Sequence, residues 1–310
     1  MKSIDRIAII GAGTMGHGIG QAFASSGLPT VLNDVNDERL DHARRMIESN
    51  LRMLFEEGEM ESGEAEKILS NIWLTTNLKE AVSDADMVVE AVFEDPDVKR
   101  EVFTKLDPLC SKDAIFASNT SGLNIFEIAP GIRPDRILIT HWFTPPHIIP
   151  LVEVVKGPKT LDTVVTSVVE LLKSVGKIPV VIPRYIPNFI VNSVQNAIGA
   201  TCLNLMLQGI EPRDIDTALR ASLGIRMPIL GQMQSLDFNG LDLIYTIAKG
   251  AGLSMPQVEE LVLNGCLGVK TSKGFYDYGG RKEEEITRDR DRKFLKILKN
   301  LEEMDYLKGV

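Results

Sequence analysis

Ile7-Ala8-Ile9-Ile10-Gly11-Ala12-Gly13-Thr14-Met15-Gly16 carries the reading that decides the fold. An apolar, β-branched run breaks into glycines spaced Gly-x-Gly-x-x-Gly, and an amphipathic stretch then runs from Met15 to Ser25. That order predicts a strand, a tight turn and a helix. In such a unit the first glycine makes the turn, the second lets backbone approach a pyrophosphate, and the third lets helix pack closely on strand. The helix N-terminus then offers free N–H groups and the positive end of its dipole to phosphate. Gly11, Gly13, Thr14, Met15 and Gly16 are therefore candidate cofactor-binding residues. The second strand ends in Val31-Leu32-Asn33-Asp34, where a carboxylate accepts hydrogen bonds from the adenosine ribose hydroxyls. Asp37 and Glu38 follow, with no Arg or Lys before Arg39, so NAD is favoured over NADP.

Working outward, short β-branched runs recur at 6–10, 29–34, 72–75, 87–91, 114–118, 137–141, 151–155 and 178–182. They alternate with amphipathic stretches, the pattern of strand–helix units in a parallel sheet. Between the second and third runs, 38–57 reads as a long helix capped by Asp37, and 62–69 as a shorter one. The β signal stops at Ile182, and Pro183-Arg184-Tyr185-Ile186-Pro187 discourages a continuous helix or central strand. The boundary is placed there. Beyond it, helices are predicted at about 188–208, 213–222, 238–250, 255–263 and 287–303. The fold class is α/β: a doubly wound, mostly parallel Rossmann-type sheet over 1–184, then an all-helical domain over 185–310, with the active site expected in the cleft between them.

At 310 residues the chain is long enough for two domains, and no apolar run approaches a membrane span. A net charge of −9 argues against nucleic acid or an anionic membrane as partner. The lead-in Met1-Lys2-Ser3-Ile4-Asp5 leaves no room for a basic, apolar and cleavage-site series, so a cytoplasmic location is expected. Cys110, Cys202 and Cys266 have no metal-ligand or Cys-x-x-Cys spacing and read as reduced thiols; no metal is expected.

Three further patches collect polar residues at strand ends or helix starts: Ser118-Asn119-Thr120-Ser121, His141-Trp142-Phe143-Thr144-Pro145-Pro146 and Pro187-Asn188-Phe189-Ile190-Val191-Asn192. With Glu153 in Leu151-Val152-Glu153-Val154-Val155 they supply a base, a carboxylate to orient it and neutral hydrogen-bonding groups. At these residues the sequence resembles the L-3-hydroxyacyl-CoA dehydrogenase family over nearly its full length. The likeness takes in Val88-Val89-Glu90-Ala91 with Glu94 and Lys99, and Gly268-Val269-Lys270-Thr271-Ser272-Lys273-Gly274-Phe275-Tyr276. It implies that His141 is the catalytic base and Glu153 its partner, and that Ser121 and Asn192 hold the reacting oxygen. Glu94, Lys99 and Asn119 are implied at the cofactor, the first two near the nicotinamide ribose. Imidazole suits proton transfer in both directions, and a carboxylate on its other nitrogen fixes the tautomer. His147 is a rival base to which the resemblance offers no carboxylate; His17 is read as a cofactor neighbour or surface group. The resemblance also implies a homodimer.

Substrate identity stays open between two classes. For a CoA thioester, the family's phosphate contacts fall on the helix after the second strand, where Arg44, Arg45 and Arg52 stand; Arg45 and Arg52 share a face and are the substrate-binding candidates with Ser121. The same arginines also read as a solvated face beside Glu56, Glu57, Glu59 and Glu61. Departures from the common pattern are Thr144 for asparagine and Asn188 and Ser272 for glycines. Gly224-Ile225-Arg226 and Asp237-Phe238-Asn239-Gly240 look more like the branch of lambda-crystallin (L-gulonate dehydrogenase) and a pyridoxine-degradation dehydrogenase. That branch implies a small substrate without CoA, for which Thr144, Arg226 or Asn239 offer donors. A third reading is a crystallin-like NAD-binding protein without turnover.

Overall fold

A computed structural model describes residues 3–304 and 306; Met1 and Lys2, which open the lead-in read above, lie outside the described residues. Eight strands form one sheet: β1 (Ile7–Ile10), β2 (Thr30–Asn33), β3 (Ile72–Thr75), β4 (Met87–Glu90), β5 (Ile115–Ser118), β6 (Ile137–Trp142), β7 (Leu151–Lys156) and β8 (Ile178–Ile182). Their order is β3-β2-β1-β4-β5-β6-β7-β8. Every neighbouring pair is parallel except β6–β7. The order reverses between β1 and β4, the switch point at which such sheets bind ligands beyond their strand ends.

The central strand β1 is apolar at every position because both of its faces are covered. Ile7 and Ile9 pack with Ile19, Phe23, Leu40, Ile47 and Leu51 on one face, while Ala8 and Ile10 pack with Val88, Phe103, Leu106 and Phe116 on the other. The helix Gly16–Ser25 lies close to the segment after β6: a Cβ added at Gly18 would stand 2.7 Å from Pro146 Cγ. The predicted cap of the long helix moves by one residue. The helix is Asp37–Glu56, and Asn36 is its cap, its side chain accepting from the Arg39 N–H at 3.0 Å. Asn36 has the extended backbone a cap needs, which leaves Asp37 in the first helical turn, where its charge still favours the dipole.

By internal contacts the chain divides into Met1–Asn196 and Ala197–Val310. The helix Val191–Leu207 begins in the first unit and continues into the second. The second unit holds a helix that sequence reading did not find, Gly224–Asn239. Pro228 and two glycines hide its pattern, and the structure shows why they are tolerated: Gly231 breaks the helix with φ 66°. The predicted 213–222 helix is Pro212–Ala218 followed by a π turn, Leu219–Leu223. The predicted 238–250 helix starts later, at Leu241, because Gly240 takes φ 91°. Among the described residues no helix is long and apolar enough to cross a membrane, and the cysteines are free.

The Gly-Phe-Tyr patch of the C-terminal part has a structural task. Buried Asp237 accepts the N–H groups of Phe275 and Tyr276 at 2.9 and 3.0 Å and the Tyr278 hydroxyl at 3.0 Å. Burial, then the bond to this carboxylate, pushes the Tyr278 phenol upward. Gly274 lies so close that an added Cβ would meet Asp237 Oδ1 at 2.2 Å. The two positions where Asn188 and Ser272 replace glycines of the resembled pattern both keep the left-handed backbone, with φ 61° and 56°. Asparagine visits that region readily, serine much less so. Two opposite stability changes follow. Asp237→Ala strands three part-buried donors and is expected to cost about 1–3 kcal/mol, whereas Ser272→Gly is expected to gain about 0.5–1 kcal/mol. Urea midpoints check both, and an unchanged midpoint for Asp237→Ala would refute the fastening role.

Candidate functional site

The glycine turn stands at the C-terminal end of β1, facing a cavity of about 560 Å³. Gly11, Gly13, Thr14, Met15, Asp34, Glu94, Asn119 and Ser121 line it, together with Val35, Arg39 and Phe93. Its volume is that of a small-molecule site. The three glycines differ in what surrounds them. A Cβ at Gly11 would meet Ala91 O at 2.5 Å, and one at Gly16 would meet Gly11 O at 1.7 Å, so these two close the turn. A Cβ at Gly13 would meet nothing within 4 Å. Gly13 thus faces open space that a side chain would occupy, as a backbone cradle for a pyrophosphate requires.

Asp34 is buried at the rim. Its Oδ2 accepts the Ala12 N–H at 2.8 Å and its Oδ1 the Val35 N–H at 2.7 Å. Each oxygen keeps a second lone pair for a ribose hydroxyl. Arg39 Nε stands 3.9 Å from Oδ1, so a cation does adjoin this carboxylate after all. The residues present fit NAD: an open backbone cradle, a fixed carboxylate and a cavity that joins them.

Glu94 and Lys99 occupy different depths. Glu94 lines the cavity, while Lys99, on the helix Pro96–Leu106, has no exposed side-chain surface and lies behind it. Lys99 Nζ is 2.7 Å from Glu90 Oε1 and 3.2 Å from Glu94 Oε2. Glu94 Oε1 accepts the Ser121 N–H at 2.9 Å and the Thr120 hydroxyl. Asn119 Oδ1 accepts the Trp142 N–H at 3.0 Å, joining the loop after β5 to the end of β6. Glu90, fully buried at the end of β4, was quoted in sequence only as part of the strand. A carboxylate in an otherwise apolar run was the available signal, since such a group needs a partner.

His141 and Glu153 are paired by sheet register. They stand directly opposite on β6 and β7, the one antiparallel pair, so their side chains project from the same face as neighbours. His141 Nδ1 is 2.7 Å from Glu153 Oε2, with His141 4% and Glu153 1% exposed. Glu153 Oε1 accepts the Ile190 and Val191 N–H groups at 2.9 and 3.0 Å, at the start of the helix Val191–Leu207. Burial alone would raise this carboxyl, but the bonds from His141, Val191 and Ile190 outweigh it and hold it below the usual carboxylate range. Asn192 Nδ2 donates to Ser121 O at 3.0 Å, which brings these two candidates together. His141, Glu153, Ser121 and Asn192 all belong to the first unit.

The remaining candidates stand apart. Arg45 and Arg52 are exposed on the helix Asp37–Glu56; Arg52 borders a separate cavity of about 300 Å³ with Phe55, Met60 and Glu61. Among the described residues His147 has no carboxylate partner. Its buried Nδ1 lacks a hydrogen-bond partner among the described residues, and burial, then the nearby charges of His17 and Lys177, push its pKa down. His17 Nδ1 lies 2.7 Å from Gly13 O, behind the glycine turn.

Known proteins share this organisation along the chain. The profile described as 3-hydroxyacyl-CoA dehydrogenase, NAD binding domain, matches residues 6–185, and that for the C-terminal domain of the same family matches 189–278. A 5-formyl-3-hydroxy-2-methylpyridine 4-carboxylate 5-dehydrogenase of Mesorhizobium japonicum is 33% identical over 308 residues, covering 96% of this chain and 99% of that protein. A 3-hydroxybutyryl-CoA dehydrogenase of Clostridioides difficile is 35% identical over 283 residues, 88% of this chain and 99% of that one. The crystal structure of a 3-hydroxyacyl-CoA dehydrogenase from Archaeoglobus fulgidus aligns with a TM-score of 0.81 at 32% identity, covering 96% of this chain and 98% of that one. With both domain profiles matched in order, and with an open glycine cradle and a buried carboxylate at its rim, the chain belongs to the 3-hydroxyacyl-CoA dehydrogenase family and is an NAD-dependent oxidoreductase acting on a CH–OH group.

Proposed function

We propose that this chain interconverts an L-3-hydroxyacyl-CoA, of short chain length, and its 3-ketoacyl-CoA, with His141 as the acid/base. The observation that carries the reading is the buried His141–Glu153 pair, 2.7 Å apart, in a chain of this family. With Nδ1–H donating to Glu153, the lone pair of His141 Nε2 is left for substrate. In the oxidising direction Nε2 takes the hydroxyl proton as the hydride leaves the same carbon. Glu153 then faces an imidazolium and stabilises it without taking the proton. Its second oxygen stays occupied by two backbone N–H groups, which keeps the carboxylate from turning away. Ser121 and Asn192 donate to the reacting oxygen as it becomes a carbonyl, and neither has to titrate. Bound NAD supplies the hydride acceptor.

A second reading, a small hydroxy acid or alcohol without CoA, of the L-gulonate or pyridoxine-degradation type, is favoured by the Mesorhizobium relative, which is named for a formylpyridine carboxylate and aligns over nearly the whole of both chains. Arg45 and Arg52 support the CoA reading only as exposed cations on the long helix. Three measurements bear on these roles. His141→Ala should lower kcat by about 10²–10⁴ with NADH affinity nearly kept; near-normal turnover in that variant, with His147→Ala inactive, would make His147 the base. Glu153→Gln should also lower kcat. Because the Glu153 carboxyl is held down, the stability it contributes is present above the ordinary carboxylate range, near pH 4.3, and is lost as pH falls through its lower folded value. Glu153→Gln should therefore flatten the acid side of a Tm–pH curve.

For the cofactor, Asp34→Ala should raise KM for NAD by about 10–100-fold, the worth of a charge-assisted hydrogen bond. With Arg39 then unopposed, NADP should improve relative to NAD; an unchanged NAD/NADP ratio counts against the assignment. For the substrate, acetoacetyl-CoA, acetoacetate, L-gulonate and 5-formyl-3-hydroxy-2-methylpyridine 4-carboxylate are compared as salt rises. Activity on the thioester that falls with salt supports phosphate contacts. Rapid turnover of a free acid or of the formylpyridine carboxylate, with none on acetoacetyl-CoA, would overturn the CoA reading and leave the hydride chemistry standing.

A further inference from the structure

Glu90 and Lys99 form an ion pair with no exposed side-chain surface on either partner. Removing both charges from water is costly, and such a pair persists only where its remaining hydrogen-bonding capacity is used. Here it is used. Glu90 Oε1 also accepts the Val92 N–H at 2.9 Å, and Oε2 accepts the Ser118 hydroxyl. Lys99 then reaches outward to Glu94 Oε2 at 3.2 Å, and Glu94 turns its other oxygen to Thr120 and to the N–H of Ser121. The Ser121 carbonyl in turn accepts from Asn192 Nδ2 at 3.0 Å. One unbroken line of polar contacts thus runs from the sheet core to the loop that presents Ser121.

Within that line Lys99 stands between two carboxylates. If it faced Glu94 alone, its whole charge would fall on the carboxylate whose Oε1 holds the loop, and Glu94 would be drawn inward and weakened as an acceptor. Glu90 takes up the ammonium from behind. The buried carboxylate, nearer to Nζ than Glu94 is, leaves the outer carboxylate free to accept from Thr120 and Ser121. Burial pushes the Glu90 carboxyl up, and Lys99, Ser118 and Val92 oppose that shift, so the inner carboxylate depends on its partners as they depend on it.

We propose that Glu90 is a positioning residue for the reaction: acting through Lys99 and Glu94, it fixes the Ser121 loop at the cofactor cavity. The inference rests on the reading above in which Ser121 holds the reacting oxygen. The test is a double-variant cycle in the full-length protein, on whichever of the substrates named above turns over, with NADH binding followed by fluorescence. Glu90→Gln is expected to lower kcat about tenfold while NADH affinity changes less than about threefold, and to cost almost nothing further in a Ser121→Ala background, because both changes act on the same hydroxyl. Ser118→Ala, which removes only one hydroxyl from Glu90, is expected to give the same signature at about threefold, and stands in if Glu90→Gln does not fold. Losses that multiply in the double variant, or wild-type kcat in both Glu90→Gln and Ser118→Ala, overturn the inference. Ser121→Ala at wild-type kcat overturns instead the role of Ser121, so the two failures are distinguishable.

Discussion

The Glu153 carboxylate meets two demands at once. One oxygen faces His141 across the only antiparallel strand pair in the sheet, and the other accepts the N–H groups that open the helix Val191–Leu207. A buried carboxylate with free lone pairs would be driven toward its neutral form; here each oxygen has a partner, and the charge persists. The register of β6 on β7, the direction of the imidazole and the start of the helix that carries Asn192 meet at this one group. A slip of one residue in that register would send Glu153 to the opposite face of the sheet and undo all three.

The strands were legible because their signal is local: β-branched runs bounded by glycine, proline and polar residues, each matching an observed strand to within a residue at either end. The turn at Gly11 to Gly16 was equally plain, since three glycines carry three separate steric duties. The helix Gly224–Asn239 was not. A proline and a glycine at φ 66° inside it erase the periodicity on which sequence reading relies, and only tertiary packing restores the segment. Pairings over long separations were also hidden. Nothing in Lys99 itself shows that it is sealed between Glu90 and Glu94, or in Asp237 that it gathers a loop nearly forty residues on. The meeting of His141 with Glu153 came from family likeness; the reason for it, cross-strand register, is a property of the sheet. The acyl group and any partner copy are encounters with other molecules, which exposed side chains of one chain constrain only loosely.

Charge in this part of the molecule is arranged by depth. The inner layer, Glu90 with Lys99, is sealed, and the next, Glu94, is partly exposed with one side chain at the cavity wall. Asp34 repeats the logic at the other end of the cavity, its oxygens fixed by backbone N–H groups and its charge adjoined by Arg39. Fixed dipoles and charges of this kind need not reorganise when a ligand arrives, which is the property that makes them effective in a site from which water is displaced.

The contact between Gly18 and Pro146 bears on where change in this chain is permitted. The segment that follows the histidine strand rests on the first helix with no room at Gly18 for even a methyl group, which fixes how closely the two approach at that point. Bulk added at Gly18 would push Pro146, and the segment that carries it, away from the first helix. The fit between the two is therefore held by the absence of a single Cβ.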